Sequence, residues 1–440
     1  MKKTILLVMV ITLAIMMVFG LAYAGGEKKG AEKEAAEKAP EKAPTEIREI
    51  KLYHDNPEWQ SFWEEMGEAS AQDIGVRAVP TAFETQVYKS RIKVDLPTSR
   101  APSVFKWWFG YRAFELMKAG LLADLSDVWA KVEKNYPPGI KEALTIDGVP
   151  YALPFNVGYW VWFYSKAVYK KYNLVLPKTW DEFMKQLEFL KSKGVYGIGN
   201  TIGKSRWTSF IVPMELIYRV DADFYVRLMN GKAHYTDPEA VKAMEIWKEM
   251  LEKGYFAPMD ATYVEDLPRM LKEGTLAYAP FGDWYGGILQ QQGLVPEQDY
   301  GVFIPPPITP RGKDSIILEI SPLCAGKNSP DLEAAKEWYV WYAGKHSAQI
   351  LWEKLRFVNT VHITADEIKK GDPTLAHEMD LIKNYPNKMI RFWEATPVEI
   401  VEYAVDAFNT MLVHPDQYMV LLKGIEEKAK EVWPKYGVNY

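Results

Sequence analysis

The hydrophobic pattern changes period along the chain, alternating in short runs and recurring every three or four residues in longer ones. Ile50 and Leu52 alternate with polar neighbours as in a short strand. Asp55-Asn56-Pro57 then turns the chain into a helix carrying Trp59, Phe62, Trp63 and Met66. Gly75 to Val79 reads as a second strand, Val87 to Leu96 as a helix, Ser103 to Trp107 as a third strand, and Tyr111 to Ala119 as a third helix. Strand-helix alternation predicts a mainly parallel sheet with helices on its faces. Open sheets of this kind hold ligands beyond the carboxyl ends of their strands. That rule points at His54 to Trp59 and at Trp107 to Tyr111.

The stretch from Asp147 to Leu190 carries the strongest local signals. Asp147-Gly148 is a turn dipeptide flanked by apolar residues. Val157 to Tyr164 is apolar and aromatic throughout, as in a strand covered on both faces. Pro177-Lys178 stops the preceding segment, and Thr179 with Glu182 three residues later forms a capping box. Phe183, Leu187 and Leu190 then share one helical face, and Gly194 ends the helix. Further on, Asp237-Pro238 opens a helix with Ala240, Met244, Trp247 and Leu251 on one face, closed by Gly254. Gly203-Lys204-Ser205 imitates the end of a phosphate-binding loop. That loop needs a glycine five positions before Gly203, and Ile198 stands there.

Length changes the picture first, since 440 residues favour two or more lobes over one core. The aromatic fraction is 14% with 16 Trp and 26 Tyr; core packing absorbs most of these, and the excess suits a surface for flat, amphipathic ligands. Lys2-Lys3 and the apolar run from Thr4 to Leu21 read as an export signal, with cleavage after Ala22-Tyr23-Ala24 and a mature start at Gly25. The apolar run approaches the length of a membrane span, so an uncleaved anchor is the alternative. Residues 25 to 45 lack large apolar side chains and read as a disordered tether with a reach of about 25 Å. Without Lys2 and Lys3 the formal charge of −5 becomes −7, which argues against nucleic acid as a partner. Cys324 is the single cysteine, so no internal disulfide and no cysteine-based zinc site can form. The six histidines are far apart, and no metal site or catalytic triad is indicated.

Several of these segments resemble the sugar-type solute-binding proteins of ABC importers, the family of maltose-binding protein. The matching residues are Gly148, Tyr151, Leu153-Pro154, Phe163-Tyr164-Ser165 and Pro177-Lys178-Thr179-Trp180-Asp181-Glu182, with Ser165 where relatives carry Asn. Ala101-Pro102-Ser103-Val104, Trp107-Trp108 and Gly120-Leu121-Leu122-Ala123-Asp124-Leu125 match a second block. Met270 to Trp284 matches a strand whose end bears a ligand-stacking Trp. Asn328-Ser329-Pro330 opens a matching helix, and Phe357-Val358-Asn359-Thr360 a matching turn. Gly25 stands where many relatives carry a lipid-modified Cys, so no lipid anchor is available.

The resemblance implies an α/β, two-lobed periplasmic-binding-protein fold of the class II type, with two open sheets joined by a multi-segment hinge. It places 46–155 and 321–385 in one lobe, and 156–320 and 386–440 in the other. It implies a monomer, without a cofactor, that closes its lobes over a small carbohydrate and delivers it to the membrane subunits of an ABC permease. A sugar needs flat apolar platforms and fork-shaped polar groups together. Trp284, Trp107, Trp108, Trp393, Trp59 and Trp207 are the candidate platforms. Asp283, Asp55, Asn56, Asn156, Arg206 and Glu319 are the candidate hydroxyl partners. For each Trp the alternative is core packing; for Asp283 it is a helix cap, and for Arg206 an exposed ion pair. The rival functions are a secreted glycoside hydrolase, which needs a carboxylate pair at the sugar, and a lectin-like surface protein.

Overall fold

The structure, a computed structural model, describes residues 46–440. The export signal and tether expected over 1–45 lie outside the described residues. In chain order the strands are Arg48–His54 (β1), Val76–Ala82 (β2), Val104–Lys106 (β3), Thr145–Ile146 (β4), Val149–Pro150 (β5) and Ala152–Ser165 (β6). Tyr196–Ile198 (β7), Leu276–Gly282 (β8), Tyr300–Phe303 (β9), Ser315–Cys324 (β10) and Asn387–Ile390 (β11) complete them. Packing divides the described residues into two compact units: the first holds 46–157 and Ile320–Thr364, the second Gly158–Glu319 and Ala365–Tyr440. The chain passes from one to the other inside β6, inside β10, and between Thr364 and Ala365.

The last passage comes at Ala365 rather than at Pro386, where the sequence reading put it. Two bonds tie the intervening segment to the second unit. Gln290 Nε2 donates to Asp372 Oδ2 at 2.6 Å, and the Glu297 amide donates to Thr374 Oγ1 at 2.9 Å.

In the first unit β1 pairs in parallel with β2 and β3, as the strand-helix alternation predicts. The helix Gln60–Ile74 buries Phe62, Trp63 and Met66 against them. Gly67 makes its close approach possible, because a Cβ there would lie 2.2 Å from the Ala78 carbonyl oxygen on β2. In the second unit β7 is parallel to β8, and β8 and β9 flank β6 with both running antiparallel to it. The end of β10 likewise runs antiparallel to β3. In each unit a parallel set is flanked by an opposed strand, β10 in the first and β6 in the second, and both of these strands pass between units; in the second unit β11 runs parallel to the start of β10.

Local signals set several element ends. Asp147 and Gly148 both take positive φ, 51° and 81°, as the tight turn between β4 and β5 requires. Thr179 Oγ1 accepts from the Glu182 amide at 3.2 Å, and Glu182 Oε2 accepts from the Thr179 amide at 3.3 Å, so the capping box is complete. Phe183, Leu187 and Leu190 of that helix are buried, whereas Leu251 of Pro238–Glu252 is half-buried, with Met250 taking the core position. β6 is buried along nearly its whole length, which accounts for its unbroken aromatic run. Of the sixteen tryptophans, only Trp180, Trp207, Trp284 and Trp341 are half-buried; the rest are buried.

Candidate ligand-binding faces

Two of those four half-buried tryptophans meet in the second unit. β8 is buried from Leu276 to Gly282, its end paired with Trp160 of β6. Beyond it the Asp283 amide donates to the Tyr159 carbonyl at 2.9 Å. Two glycines shape the chain at this strand end. A Cβ on Gly158 would lie 2.0 Å from Asp283 Oδ1, and one on Gly282 would lie 2.4 Å from Trp284 Nε1. Only bare backbone lets the carboxylate and the indole fold back over the strand ends. The Trp284 ring lies 6.2 Å from Trp207, 6.2 Å from Tyr263 and 6.5 Å from Trp160, centroid to centroid. Trp207 and Tyr263 are half-buried too.

A buried ionic network holds this group from below. Glu319 Oε2 accepts from Trp160 Nε1 at 2.8 Å and from Trp284 Nε1 at 3.4 Å, and lies 2.8 Å from Arg391 Nη1. Arg391 Nε also donates to Glu394 Oε2 at 2.8 Å. Burial opposes the Arg391 charge, but Glu319 and Glu394 together hold the guanidinium protonated, above its ordinary range. Near Asp283, burial pushes the Glu378 carboxyl well above the usual carboxylate range, and the charges of Asp283 and Asp372 push it further.

In the first unit the carboxyl ends of β1 and β3 supply a different set. Asp55 follows β1 and Lys106 ends β3; both are buried, and they pair at 2.8 Å. The Trp108 ring has Lys89 Nζ at 5.7 Å, Lys106 Nζ at 5.6 Å and Arg112 Cζ at 5.5 Å from its centroid. Asn56 Nδ2 donates to Glu58 Oε1 at 3.0 Å, while its Oδ1 is buried and meets no donor among the described residues. Burial raises the Glu58 carboxyl above its ordinary value. Burial also pushes the His54 imidazole down to about 4, despite its hydrogen bond to Gln60, so His54 is neutral at pH 7.

The structure therefore sorts the twelve candidates. Trp284, Asp283, Trp207 and Glu319 come together in the second unit. Asp55, Asn56, Trp107 and Trp108 come together in the first. Trp59 packs with Phe155 and Phe357 at 5.5 Å each and belongs to an aromatic core. Trp393 is buried and stacks on Phe210 at 5.6 Å and 24°. Asn156 is buried within β6. Arg206 is spent on an ion-pair group, 2.9 Å from Glu402 and 2.5 Å from Asp406, both on the helix Val398–Val413. Sequence reasoning missed Trp160, Tyr263, Arg391, Lys89, Lys106 and Arg112. Only Lys106 and Arg112 had a usable signal: they stand one residue before and one residue after the stretch Trp107 to Tyr111 that the strand-end rule marks.

Residues 65–375 match the family described as bacterial extracellular solute-binding protein, and the chain belongs to that family. It is a family of binding proteins, not of enzymes, and its members work outside the cytoplasm. An uncharacterised ABC transporter extracellular-binding protein of Pyrococcus horikoshii is 26% identical over 319 residues, 67% of each chain. The maltodextrin-binding protein of Bacillus subtilis is 25% identical over 391 residues, 81% of this chain and 85% of its own. A solved chitin oligosaccharide binding protein shares the fold with a TM-score of 0.78 at 19% identity, over 88% of this chain and 98% of that one. No helix among the described residues is long and apolar enough to cross a membrane.

Proposed function

We propose that this chain is the extracytoplasmic carbohydrate-binding component of an ABC importer. The observation that carries the reading is the half-buried aromatic group Trp284, Trp207 and Tyr263 beside Asp283 at the end of β8. Indole and phenol faces match the C–H faces of a pyranose, and a carboxylate accepts from two hydroxyls of its rim. Family membership and relatives named for maltodextrin and chitin oligosaccharide binding support the ligand class. Delivery is to the membrane subunits of a permease, whose ATPase supplies the energy.

The protein acts as a monomer, without cofactor, nucleic acid or catalysis of its own. It is exported by the segment ending at Ala24 and begins at Gly25 in its mature form. N-terminal sequencing of the native protein tests this, since a start at Met1 in the membrane fraction means an uncleaved anchor instead. Calorimetric titration with an oligosaccharide panel tests the binding reading, and absence of heat across the panel overturns it. Incubation with each bound sugar, followed by chromatography, tests the non-enzymatic reading. Shorter products would make the protein a glycosidase.

A further inference from the structure

The helix Trp180–Ser192 buries Phe183, Leu187 and Leu190 and turns another stripe outward. Lys185 and Phe189 lie one turn apart on that stripe, and Lys193, at the C-cap, follows one turn later. The preceding helix Lys166–Tyr172 brings Tyr172 to the same place, its ring edge-on to Phe189 at 5.7 Å. Val175 joins them, because Gln186 Nε2, one turn before Phe189, donates to its carbonyl at 2.7 Å. Val175 is 78% exposed, Phe189 is 37% exposed, and Tyr172 is half-buried. Apolar side chains grouped in water in this way mark a contact surface.

Lysines surround the group. Lys171 Nζ lies 5.0 Å from the Tyr172 centroid and Lys193 Nζ 5.3 Å from the Phe189 centroid. Lys171, Lys185 and Lys193 are all exposed, and none has an ion-pair partner among the described residues. The carboxylates nearby turn to other groups. Glu182 Oε2 accepts from the Lys178 amide at 2.7 Å, Glu188 Oε2 accepts from the Tyr255 hydroxyl, and Asp181 stands in the first helical turn, where the helix dipole favours it. Elsewhere in this unit Lys248, Lys253, Lys428, Lys430 and Lys435 each pair with a glutamate.

The surface lies at the end of the sheet away from Trp284. The Val195 amide bonds the Leu190 carbonyl as the helix closes, and Tyr196 then starts β7 opposite Leu276, the first residue of β8. Asp283 and Trp284 follow the last residue of β8. A partner here leaves that aromatic group uncovered.

Apolar tips ringed by unpaired lysines are complementary in charge and polarity to an anionic bilayer. The tips enter the boundary of the acyl chains, and the lysine stems lie along it while their ammonium groups reach the phosphates. A protein partner is the poorer match, since protein interfaces favour Arg and disfavour Lys, and no Arg occurs between Lys166 and Lys193. We propose that Tyr172, Val175 and Phe189, with Lys171, Lys185 and Lys193, form a surface that holds the protein against a bilayer containing anionic lipid. The carbohydrate reading does not enter this inference.

The test is sedimentation of the purified protein with vesicles of phosphatidylglycerol and phosphatidylcholine in equal parts, and with vesicles of phosphatidylcholine alone. The protein should sediment with the anionic vesicles and more weakly with the neutral ones. Lys171→Gln, Lys185→Gln and Lys193→Gln should each weaken anionic binding by about fivefold. Salt at about 1 M shortens the screening length to about 3 Å and should remove most of it. Val175→Cys carries a polarity-sensitive dye, Cys324 being buried, and its emission should shift to the blue on anionic vesicles. Thermal unfolding identifies any variant that fails to fold. Sedimentation that the lysine variants do not weaken comes from another part of the chain, the apolar run from Thr4 to Leu21 included, and overturns the proposal. So does an unshifted dye on vesicles that carry the protein down. A shift on native membranes but none on protein-free vesicles means a protein partner and overturns it as well. Oligosaccharide titration of the lysine variants should match wild type, so failure here leaves the carbohydrate reading standing.

Discussion

In the second unit one carboxylate meets two tryptophans at their edges: Glu319 accepts from the indole N–H groups of Trp160 and Trp284. In the first unit cations meet tryptophan at its face, with Lys89, Lys106 and Arg112 over Trp108. Both arrangements reflect one charge distribution, since an aromatic ring is negative on its face and positive at its rim. The consequences differ. The bond from Trp284 Nε1 to Glu319 restrains the plane of that ring from its edge. Trp108 is met at its face instead, by three cationic side chains. Two tryptophans just beyond strand ends thus meet charged groups in different ways.

The comparison breaks most sharply at the ionic support. Arg391→Ala leaves Glu319 and Glu394 buried without their cation. Breaking a buried pair commonly costs about 3–5 kcal/mol, so the denaturant midpoint should fall steeply. An unchanged midpoint would mean that the network is hydrated and does not fix Trp284.

Trp284→Ala should weaken carbohydrate binding by about thirty-fold or more, the loss of an aromatic anchor worth about 2–4 kcal/mol, with a modest change in melting point. Trp393→Ala is the internal control. Its ring is packed on Phe210, so it should lower stability through a cavity costing about 3–5 kcal/mol. Titration and thermal unfolding of the two variants separate platform from core. If Trp284→Ala loses stability and keeps affinity, the platform assignment fails.

The units also answer acid with opposite signs. His54, in the first unit, has its pKa lowered by burial from 6.5 to about 4. The unfolded chain takes the proton first, so this stability is present above about pH 6.5 and lost as pH falls through 4, about 3 kcal/mol in all. Glu378, in the second unit, has its pKa raised by burial. Its contribution is full below the ordinary carboxylate range and is lost as pH rises from there through the raised value. Urea midpoints across pH should show His54→Gln flattening the acid-side loss, and Glu378→Gln stabilising the protein at neutral pH. Matching pH profiles for wild type and both variants would remove the contrast.

The smallest effect is expected at Arg206. It is one-third exposed and pairs with Glu402 and Asp406, so Arg206→Ala should cost under about 1 kcal/mol and leave carbohydrate affinity as it was. A large loss of affinity would return Arg206 to the binding face.

Much of the architecture was legible because its causes are local. The Thr179 capping box, the Asp147-Gly148 turn and the strand-helix alternation from Ile50 to Ala119 each depend on residues a few positions apart, and each forms as the spacing predicts. Trp284, just beyond β8, was legible for another reason, since Met270 to Trp284 resembles a family strand whose end carries a Trp. The buried aromatic run of β6 was legible as a strand, but not as one that passes between units.

What only the tertiary structure decided is which tryptophans pack into the core and which charges are committed. Trp59, Trp393 and Trp284 are the same residue type in similar aromatic settings. Only the approach of Phe155 and Phe357 to the first, and of Phe210 to the second, makes those two core. Arg206 and Arg391 look alike along the chain. One is spent on the helix Val398–Val413, and the other supports Trp284 through Glu319, a partner far away in sequence. Hydrophobic period and turn chemistry act within a few residues and can be read from the sequence alone. Desolvation, ion pairing and ring packing depend on the three-dimensional neighbours of a group, and the fold sets those only after the local elements have formed.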